Sequence, residues 1–323
     1  MHSLNIKKPI LSIIGAALLS TILAGYLSGC TPPKPSVEVG SRVVVLDYLS
    51  LEILHKLDVD VVGVPSTGYE NIDEKYGDRD KYIDAGLPMK PNYTDIALIR
   101  PSEVIMSDAT EKAFGDIKSS FEALGIRVVF FDYNGIPELK TSIMEIGKYF
   151  NRSQKATEIV TELEIKESAI LERIVALENK PRVMVLFGAP LGTAEQSIQI
   201  AGNGLFVGSI VSYCGAVNVI EELFPGNQGL IKPDNWAPIL DLEPAYIFCT
   251  VHGSDTIWDI YDSAWATSIY SQLSAAINGN IYYIPENILG VIPNLDYVSG
   301  SMQYILDIFE GNIKPYDGGY KSG

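Results

Sequence analysis

The sequence alternates short apolar segments with helical segments on both sides of one long stretch that has no strand pattern. Segments such as "RVVVLD" at 42–47 and "PRVMVLFG" at 181–188 have the composition of buried strands. Residues 137–180 instead carry apolar residues at helical spacing with Glu and Lys between them. Because strands that alternate with helices form parallel sheets, the pattern predicts an α/β protein with two Rossmann-like lobes joined by a single long backbone helix. Asn151 and Arg152 could divide that stretch into two helices.

A helical connector limits how far two lobes can move. Linkers made of two or three strands act as hinges that let lobes close widely on a ligand, whereas one long helix permits only small movements. We therefore expect a largely preformed ligand cleft between the lobes, which is the usual state of a small-molecule site.

The N-terminal residues have the pattern of an export signal. Lys7 and Lys8 precede an apolar run that ends at Cys30, and no acidic residue occurs before Glu38. This pattern is typical of a secretory signal peptide. Its last residues, "LSGC", resemble a bacterial lipobox, which implies that Cys30 is acylated and begins the mature chain. The alternative is an ordinary transmembrane anchor, but the apolar run ends at the cysteine and a proline-rich tether follows.

These patterns divide the chain into six segments. We predict a lipoprotein signal peptide at 1–29, a tether at 30–40, an N-terminal α/β lobe at 41–136, a helical connector at 137–180, a C-terminal α/β lobe at 181–315 and a tail at 316–323. The protein is then expected to be extracytoplasmic and anchored to the cell membrane by lipid.

Charge and cysteine content bear on the partners and sites available to the chain. The formal net charge is −16, which argues against nucleic acid as a partner. Cys214 and Cys249 lie in apolar segments and are interpreted as buried free thiols, with a disulfide as the alternative. No Cys/His cluster has the spacing of a zinc site.

Met89 occupies an unusual position in "GLPMKPN" at 86–92. It stands between Pro88 and Pro91, in a stretch that can be neither a regular helix nor a central strand. Methionine is usually core filler on a periodic element, and that remains the alternative here. Because prolines restrict the backbone, this turn could aim the thioether at low entropic cost.

The chain has three histidines, and one of them, His252, lies at the end of a predicted strand. His55 lies on a predicted helix and is interpreted as a structural residue. His252 follows the apolar strand "AYIFCTV", at the end of a strand where α/β sheets bind ligands. One thioether and one imidazole from opposite lobes suit the two axial positions of haem iron, whereas zinc or manganese would need more donors.

The lipobox, the two lobes and the helical backbone together resemble the class III (helical-backbone) substrate-binding lipoproteins of ABC importers. Within that class, "GLPMKPNYTDIALIRPSEVI" at 86–105 and "TVHG" at 250–253 are similar to two motifs of the haem-binding IsdE family. "GNGLFVGSIVSYCGAVNV" at 202–219 matches in part the family's segment that lines the second lobe. The similarity covers most of residues 41–312.

The resemblance implies that the protein captures haem, as a transported ligand, and delivers it to an ABC permease and its ATPase for iron acquisition. Met89 and His252 take the roles of axial ligands, and members of the class usually work as monomers. Six residues are expected to contact the ligand: Ser66, Thr67, Gly68, Tyr69, Gly188 and Thr193. The class usually carries a glutamate in each lobe for permease docking, and the nearest acids here are Asp95 and Asp234.

Two other functions remain open from the sequence. The same fold could bind a ferric siderophore or cobalamin, in which case Met89 would be a packing residue. A secreted lipoprotein hydrolase is the alternative from another class, but the chain has no G-x-S-x-G and few histidines to act as a base. We therefore expect a binding protein and not an enzyme.

Overall fold

The computed structural model describes most of the two predicted lobes and the connector between them. The described residues are 42–66, 76–113, 115–188, 198–226, 229–232, 235, 237–251, 261, 269–290 and 293–315.

The first lobe is built on a parallel sheet. Its strands are β1 (Val43–Val45), β2 (Val61–Val64), β3 (Ile83–Asp84), β4 (Gly86–Leu87), β5 (Lys90–Pro91), β6 (Glu103–Ser107) and β7 (Arg127–Phe131). Five of them form a sheet in the order β3-β2-β1-β6-β7, while β4 and β5 pair with each other as a separate antiparallel hairpin. The helices are α1 (Tyr48–Lys56), α2 (Tyr93–Ile99), α3 (Asp108–Ala113) and α4 (Asp116–Ala123).

One predicted helix of this lobe is wrong in its extent. The sequence predicts a single helix over 110–125, whereas the structure has α3 and α4 as separate helices, with Gly115 as the N-cap of α4. Glycine is unfavourable inside a helix because it loses the most backbone freedom on ordering. Gly115 itself keeps helical backbone angles (φ −52°, ψ −22°), so the helical pattern of the sequence continues through it although the structure has two helices.

The connector is a pair of helices. Residues 137–180 contain no strand, and the helices are α5 (Ile136–Tyr149) and α6 (Ser153–Val175). They are separated at Asn151, which has a left-handed φ of 57°. The predicted break at this point is confirmed. The 23 residues of α6 span about 35 Å at 1.5 Å per residue.

The second lobe is built on a mixed sheet. Its strands are β8 (Arg182–Gly188), β9 (Ile198–Ala201), β10 (Val217–Asn218), β11 (Leu230–Ile231), β12 (Tyr246–Val251) and β13 (Ile281–Tyr283), in the order β11-β9-β8-β12-β13 with β10 beside β8. The described helices are α7 (Phe206–Tyr213), α8 (Ala237–Leu240), α9 (Ser274–Ile277) and α10 (Val298–Phe309). Strands β9, β10 and β11 were not predicted from the sequence. Each is four residues or shorter, so its apolar pattern is too brief to stand out.

The apolar residues form three clusters that follow the two faces of each sheet. Along β1, Val43 and Val45 belong to an inner cluster, whereas Val44 and Leu46 pack on the outer face of the first sheet. Strands β8 and β12 alternate in the same way between the inner cluster and an outer one. The inner cluster includes residues of both sheets and of α5 and α6. One continuous core therefore joins the two lobes.

Polar contacts along α6 reinforce this joint. Near its start, Lys155 pairs with Asp58 of the first lobe. Near its end, the Arg173 guanidinium contacts Asp307 of α10 at 2.9 Å and Glu310, which caps that helix, at 2.6 Å. The connector is thus fixed to both lobes, and the predicted two-lobe fold is confirmed. The segment boundaries given above remain predictions.

Among the described residues, every helix is too short or too polar to cross a bilayer.

Candidate functional site

The carboxyl ends of the first sheet's strands meet at a topological switch point. The chain leaves β1 toward β2 on one side and later crosses from β3 to β6 on the other, so β1 and β6 flank the point where ligands bind in α/β sheets. Asp47 follows β1 there and is 2% exposed. Its carboxylate accepts hydrogen bonds from the N–H of Ser50 (2.8 Å) and the hydroxyl of Ser50 (2.7 Å), which lies 2.9 Å from the Tyr133 hydroxyl.

This cluster is internal. Burial raises the pKa of the Asp47 carboxyl, an effect that the hydrogen bonds from Ser50 oppose. Burial also raises the pKa of the Tyr133 hydroxyl well above its ordinary value. Since Asp47 is the N-cap of α1 and its oxygens are satisfied within the protein, we interpret the cluster as structural support for the start of α1.

The motif "GLPMKPN" forms a two-residue hairpin at the edge of the first sheet. Gly86 pairs with Pro91 and Leu87 with Lys90, and the turn between them consists of Pro88 and Met89. The Met89 side chain is 58% exposed. An exposed thioether on a rigid turn is not core packing.

Gly86 makes this hairpin possible. Its φ is +85°, a conformation that L side chains rarely adopt. A Cβ at this position would lie 2.6 Å from the carbonyl oxygen of Lys90 and 2.7 Å from the backbone nitrogen of Asn92. The two strands approach each other this closely because residue 86 has no side chain.

Ser66 lies beside the hairpin, at the end of β2. Its hydroxyl donates to Asp84 Oδ1 at 2.6 Å, and the same oxygen accepts the N–H of Gly86 at 2.9 Å. Of the predicted ligand contacts in this loop, Ser66 is described, and its hydroxyl proton is donated within the protein.

In the second lobe, the adjacent parallel strands β8 and β12 end side by side. Gly188 is the register partner of Val251. A Cβ at Gly188 would lie 3.2 Å from Val251 Cγ1 and 3.3 Å from the Tyr261 hydroxyl. The Tyr261 hydroxyl in turn donates to the Thr250 carbonyl at 2.7 Å and lies 3.0 Å from the Leu186 carbonyl. These contacts fix the strand end that directly precedes residue 252.

Several predicted site residues lie outside the described part of the chain: His252, Thr67, Gly68, Tyr69, Thr193, Asp234 and Cys30. Asp95, the predicted docking acid of the first lobe, is exposed in the first turn of α2 and accepts a hydrogen bond from Asn92 Nδ2 at 2.6 Å.

A polar cavity of about 270 Å³ lies where the lobes meet. Its lining residues are Asp132, Asn134, Glu138, Asn203, Gly204, Ser209 and Ser212. Ser209 donates to the Asn134 carbonyl across this junction. Four of these residues fall in the segment 202–219 that resembles the family's lining of the second lobe, and Ser209 and Ser212 stand three apart on one face of α7. Asp132, Asn134 and Glu138 were not predicted.

The remaining candidates of the sequence behave as structural groups. The His55 ring packs edge-on against Tyr76 at 4.7 Å between centroids, beside a cavity of about 380 Å³. Cys214 and Cys249 are buried free thiols, as predicted, and burial raises the pKa of both. Within the described residues, no cluster of His, Cys, Asp and Glu could hold a metal ion.

Comparison with known proteins gives consistent matches to one kind of protein. The sequence matches the periplasmic binding protein family over residues 43–288. The chain is 26% identical over 302 residues to the high-affinity heme uptake system protein IsdE of Staphylococcus aureus (strain MRSA252), a match that covers 92% of this chain and 98% of the relative.

Solved structures show the same fold. The crystal structure of Staphylococcus aureus IsdE complexed with heme superposes with a TM-score of 0.71 at 24% identity, covering 83% of this chain and 98% of that one. The petrobactin-binding protein YclQ from Bacillus subtilis superposes with a TM-score of 0.59 at 19% identity, covering 83% and 92%. The two proteins are named with different ligands, heme for the first and petrobactin for the second.

Proposed function

The chain belongs to the periplasmic binding protein family and is the substrate-binding protein of an ABC transporter, and we propose that the substrate it captures and delivers is haem. Members of this family bind solutes outside the cytoplasm and pass them to a permease, and they are not enzymes. The proposal therefore concerns which ligand the cleft takes and which residues hold it.

The observation that carries the proposal is the exposed thioether of Met89. It stands on a rigid hairpin at the carboxyl edge of the first sheet, where α/β proteins bind ligands. Exposing an apolar side chain on such a turn has no benefit for folding. A soft sulfur donor held in this way suits haem iron, which already has four nitrogen ligands and accepts one thioether at an axial position.

The second axial ligand in the proposal is His252. It directly follows Val251, the last residue of β12, whose position is fixed against Gly188. Histidine binds metals through the neutral imidazole, so protons compete with iron for it. Haem release is therefore expected to accelerate as the pH falls.

The rest of the site and the cellular context follow from the same proposal. Contacts to the haem are assigned to Ser66, Thr67, Gly68, Tyr69, Gly188 and Thr193. Acylation of Cys30 would anchor the protein to the cell membrane as a monomer. Asp95 and Asp234 are the acids proposed to contact the permease, and the exposure of Asp95 on α2 supports its part.

The alternative ligand is a ferric siderophore, which one structural relative has in its name, or cobalamin. Either would bring its own metal ligands, and Met89 would then be a packing residue. Met89 is exposed and so accessible to either kind of ligand, and the two readings differ in whether its sulfur binds iron.

Titration with hemin tests the proposal. The visible spectrum of the protein is followed for wild type, Met89→Ala and His252→Ala, with Met144→Ala as the control. Met144 is also a partly exposed methionine (37%), but it lies on the connector helix α5. We expect one-to-one saturation, a changed spectrum in the two ligand variants and a wild-type spectrum in the control.

The proposal fails if hemin does not bind stoichiometrically. It also fails if the spectrum of bound haem is the same in Met89→Ala, His252→Ala and wild type. In either case the same variants are titrated with ferric siderophores and cobalamin, where substitution of Met89 should have little effect.

A further inference from the structure

We propose that Asp84 is a positioning residue for Met89, and that it acts by joining the hairpin to the sheet through Ser66 and Gly86. This inference rests on the proposed function, since it concerns how Met89 is held for iron. Asp84 itself would not touch the ligand.

The hairpin that carries Met89 is too short to support itself. Each strand has two residues, and an isolated two-stranded hairpin is marginally stable at best. Pro91 occupies one of the four strand positions and has no N–H to donate. The pairing of β4 with β5 is therefore too short to explain the conformation of the turn that carries Met89.

The turn is also of an unfavourable kind for a two-residue hairpin. Such hairpins prefer type I′ or II′ turns, which need a positive φ at the first central residue. That residue is Pro88, whose ring fixes φ near −65°. Met89 is not among the described non-glycine residues with positive φ, so the turn is neither of the two types that two-residue hairpins prefer.

Asp84 supplies the missing support from one side. Its Oδ1 accepts the Ser66 hydroxyl at 2.6 Å and the Gly86 N–H at 2.9 Å. Ser66 follows β2 and Gly86 begins the hairpin. One carboxylate oxygen of Asp84 therefore links the start of the hairpin to the residue that lies just beyond β2. Hydrogen bonds to a charged acceptor are the stronger kind.

The other end of the hairpin is tied at its base. The N–H of Asn92 donates to the Ala85 carbonyl at 2.9 Å, and the Ala85 N–H donates to the Val64 carbonyl at 2.8 Å. Asn92 Nδ2 also donates to the Asp84 carbonyl at 3.4 Å. These bonds hold the base of the hairpin, whereas the Asp84 carboxylate joins Gly86, at the start of its first strand, to Ser66. We therefore expect loss of the carboxylate to free the tip, and with it Met89, without unfolding the lobe.

Competition by free imidazole measures the fraction of time during which Met89 is not bound to the haem iron. In the haem-loaded protein, imidazole can take the axial position each time Met89 leaves it, so its apparent affinity rises with the fraction of time that position is open. We expect Asp84→Ala to bind haem one-to-one and to bind imidazole about tenfold more tightly than wild type. Asp84→Asn keeps an acceptor oxygen and should remain within about twofold of wild type.

A matched control and a second variant keep the test decisive. Asp78 accepts the N–H of Asp80 at 3.1 Å in an exposed turn of the same lobe, and Asp78→Ala should leave imidazole affinity unchanged. Thermal unfolding of each variant without haem separates loss of positioning from loss of the fold. If Asp84→Ala does not fold, Asp84→Leu, which keeps a similar volume and has no acceptor oxygen, decides: tighter imidazole binding supports the inference and unchanged binding overturns it.

Met89→Ala separates this inference from the proposed function. If Met89→Ala does not change the spectrum or the imidazole affinity, the methionine ligand itself is wrong, and the inference falls with it. If Met89→Ala raises imidazole affinity while Asp84→Ala behaves like Asp78→Ala, the positioning role is overturned and the proposed function stands.

Discussion

Two glycines with nearly the same backbone angle differ in what surrounds them. Gly77 has φ +86° and Gly86 has φ +85°. Among the described residues, no atom lies within 4 Å of a Cβ built at Gly77, whereas one at Gly86 would lie 2.6 Å from the Lys90 carbonyl oxygen. The pair therefore separates the cost of backbone conformation from the cost of a steric clash inside the hairpin.

We expect Gly77→Ala to lower the free energy of unfolding by about 1 kcal/mol, the cost of a left-handed conformation. Gly86→Ala should cost at least about twice as much, because the clash adds to it. Urea denaturation of both variants measures the difference. Equal losses would mean that the hairpin relaxes around the added methyl group.

The buried carboxyl of Asp47 should make stability depend on pH. Because burial raises its pKa above the ordinary value of 3.8, the folded protein binds a proton there more readily than the unfolded chain. The sign follows from linkage: stability at this site falls as the pH rises from 3.8 through the higher pKa of the folded state.

Asp47→Asn removes the charge and keeps an oxygen that can accept the N–H of Ser50. The stability of this variant relative to wild type should therefore increase between about pH 4 and about pH 7. Denaturation at both pH values measures it, with Asp78→Asn at an exposed position as the control. A relative stability that does not change with pH would contradict the prediction.

At the scale of elements, the close packing of α5 on α6 depends on one residue. A Cβ at Gly147 would lie 2.3 Å from the Cβ of Ala156, so the helices can approach this closely because residue 147 has no side chain. In an open helix, alanine is about 1 kcal/mol more favourable than glycine. At position 147 the clash with Ala156 should outweigh this preference, so alanine should be less favourable than glycine there.

We expect Gly147→Ala to destabilise the protein by about 1–3 kcal/mol through overpacking. No atom of the part of the chain that the structure describes lies within 4 Å of a Cβ added at Gly300 on α10, so Gly300→Ala should stabilise by up to about 1 kcal/mol. Denaturant midpoints of the two variants provide the comparison. A stabilising Gly147→Ala would mean that the two helices can move apart without cost.

At the scale of the whole molecule, the two lobes behave as parts of one body. They share the inner apolar cluster, and α6 contacts the first lobe through Lys155 and the second through Arg173. A wide hinge closure would have to break these contacts, so ligand binding should involve small movements only.

Small-angle X-ray scattering tests this rigidity. We expect the radius of gyration to be the same, within error, before and after saturation with hemin, because the shared core should keep the lobes in place. Substitution of residues at the hairpin should not change this result. A clear compaction on addition of hemin would show that the inner cluster opens and closes, contrary to the shared core.

The sequence by itself determined the architecture and the unusual place of Met89. Periodicity is a local property, so the strand and helix alternation, the helical stretch 137–180 and its break at Asn151 can all be read along the chain. Two prolines around Met89 likewise exclude a core helix without knowledge of any contact. The thiols at Cys214 and Cys249 follow from their apolar neighbours in the same way.

Only the tertiary structure decided how these parts meet. The bond from Ser66 to Asp84 joins residues 18 positions apart, and the partnership of Gly188 with Val251 depends on strand register. Neither leaves a pattern in the sequence, because hydrogen-bond partners and register are set by the packing of distant segments. The hairpin under Met89 and the polar cavity between the lobes therefore had to be seen in three dimensions.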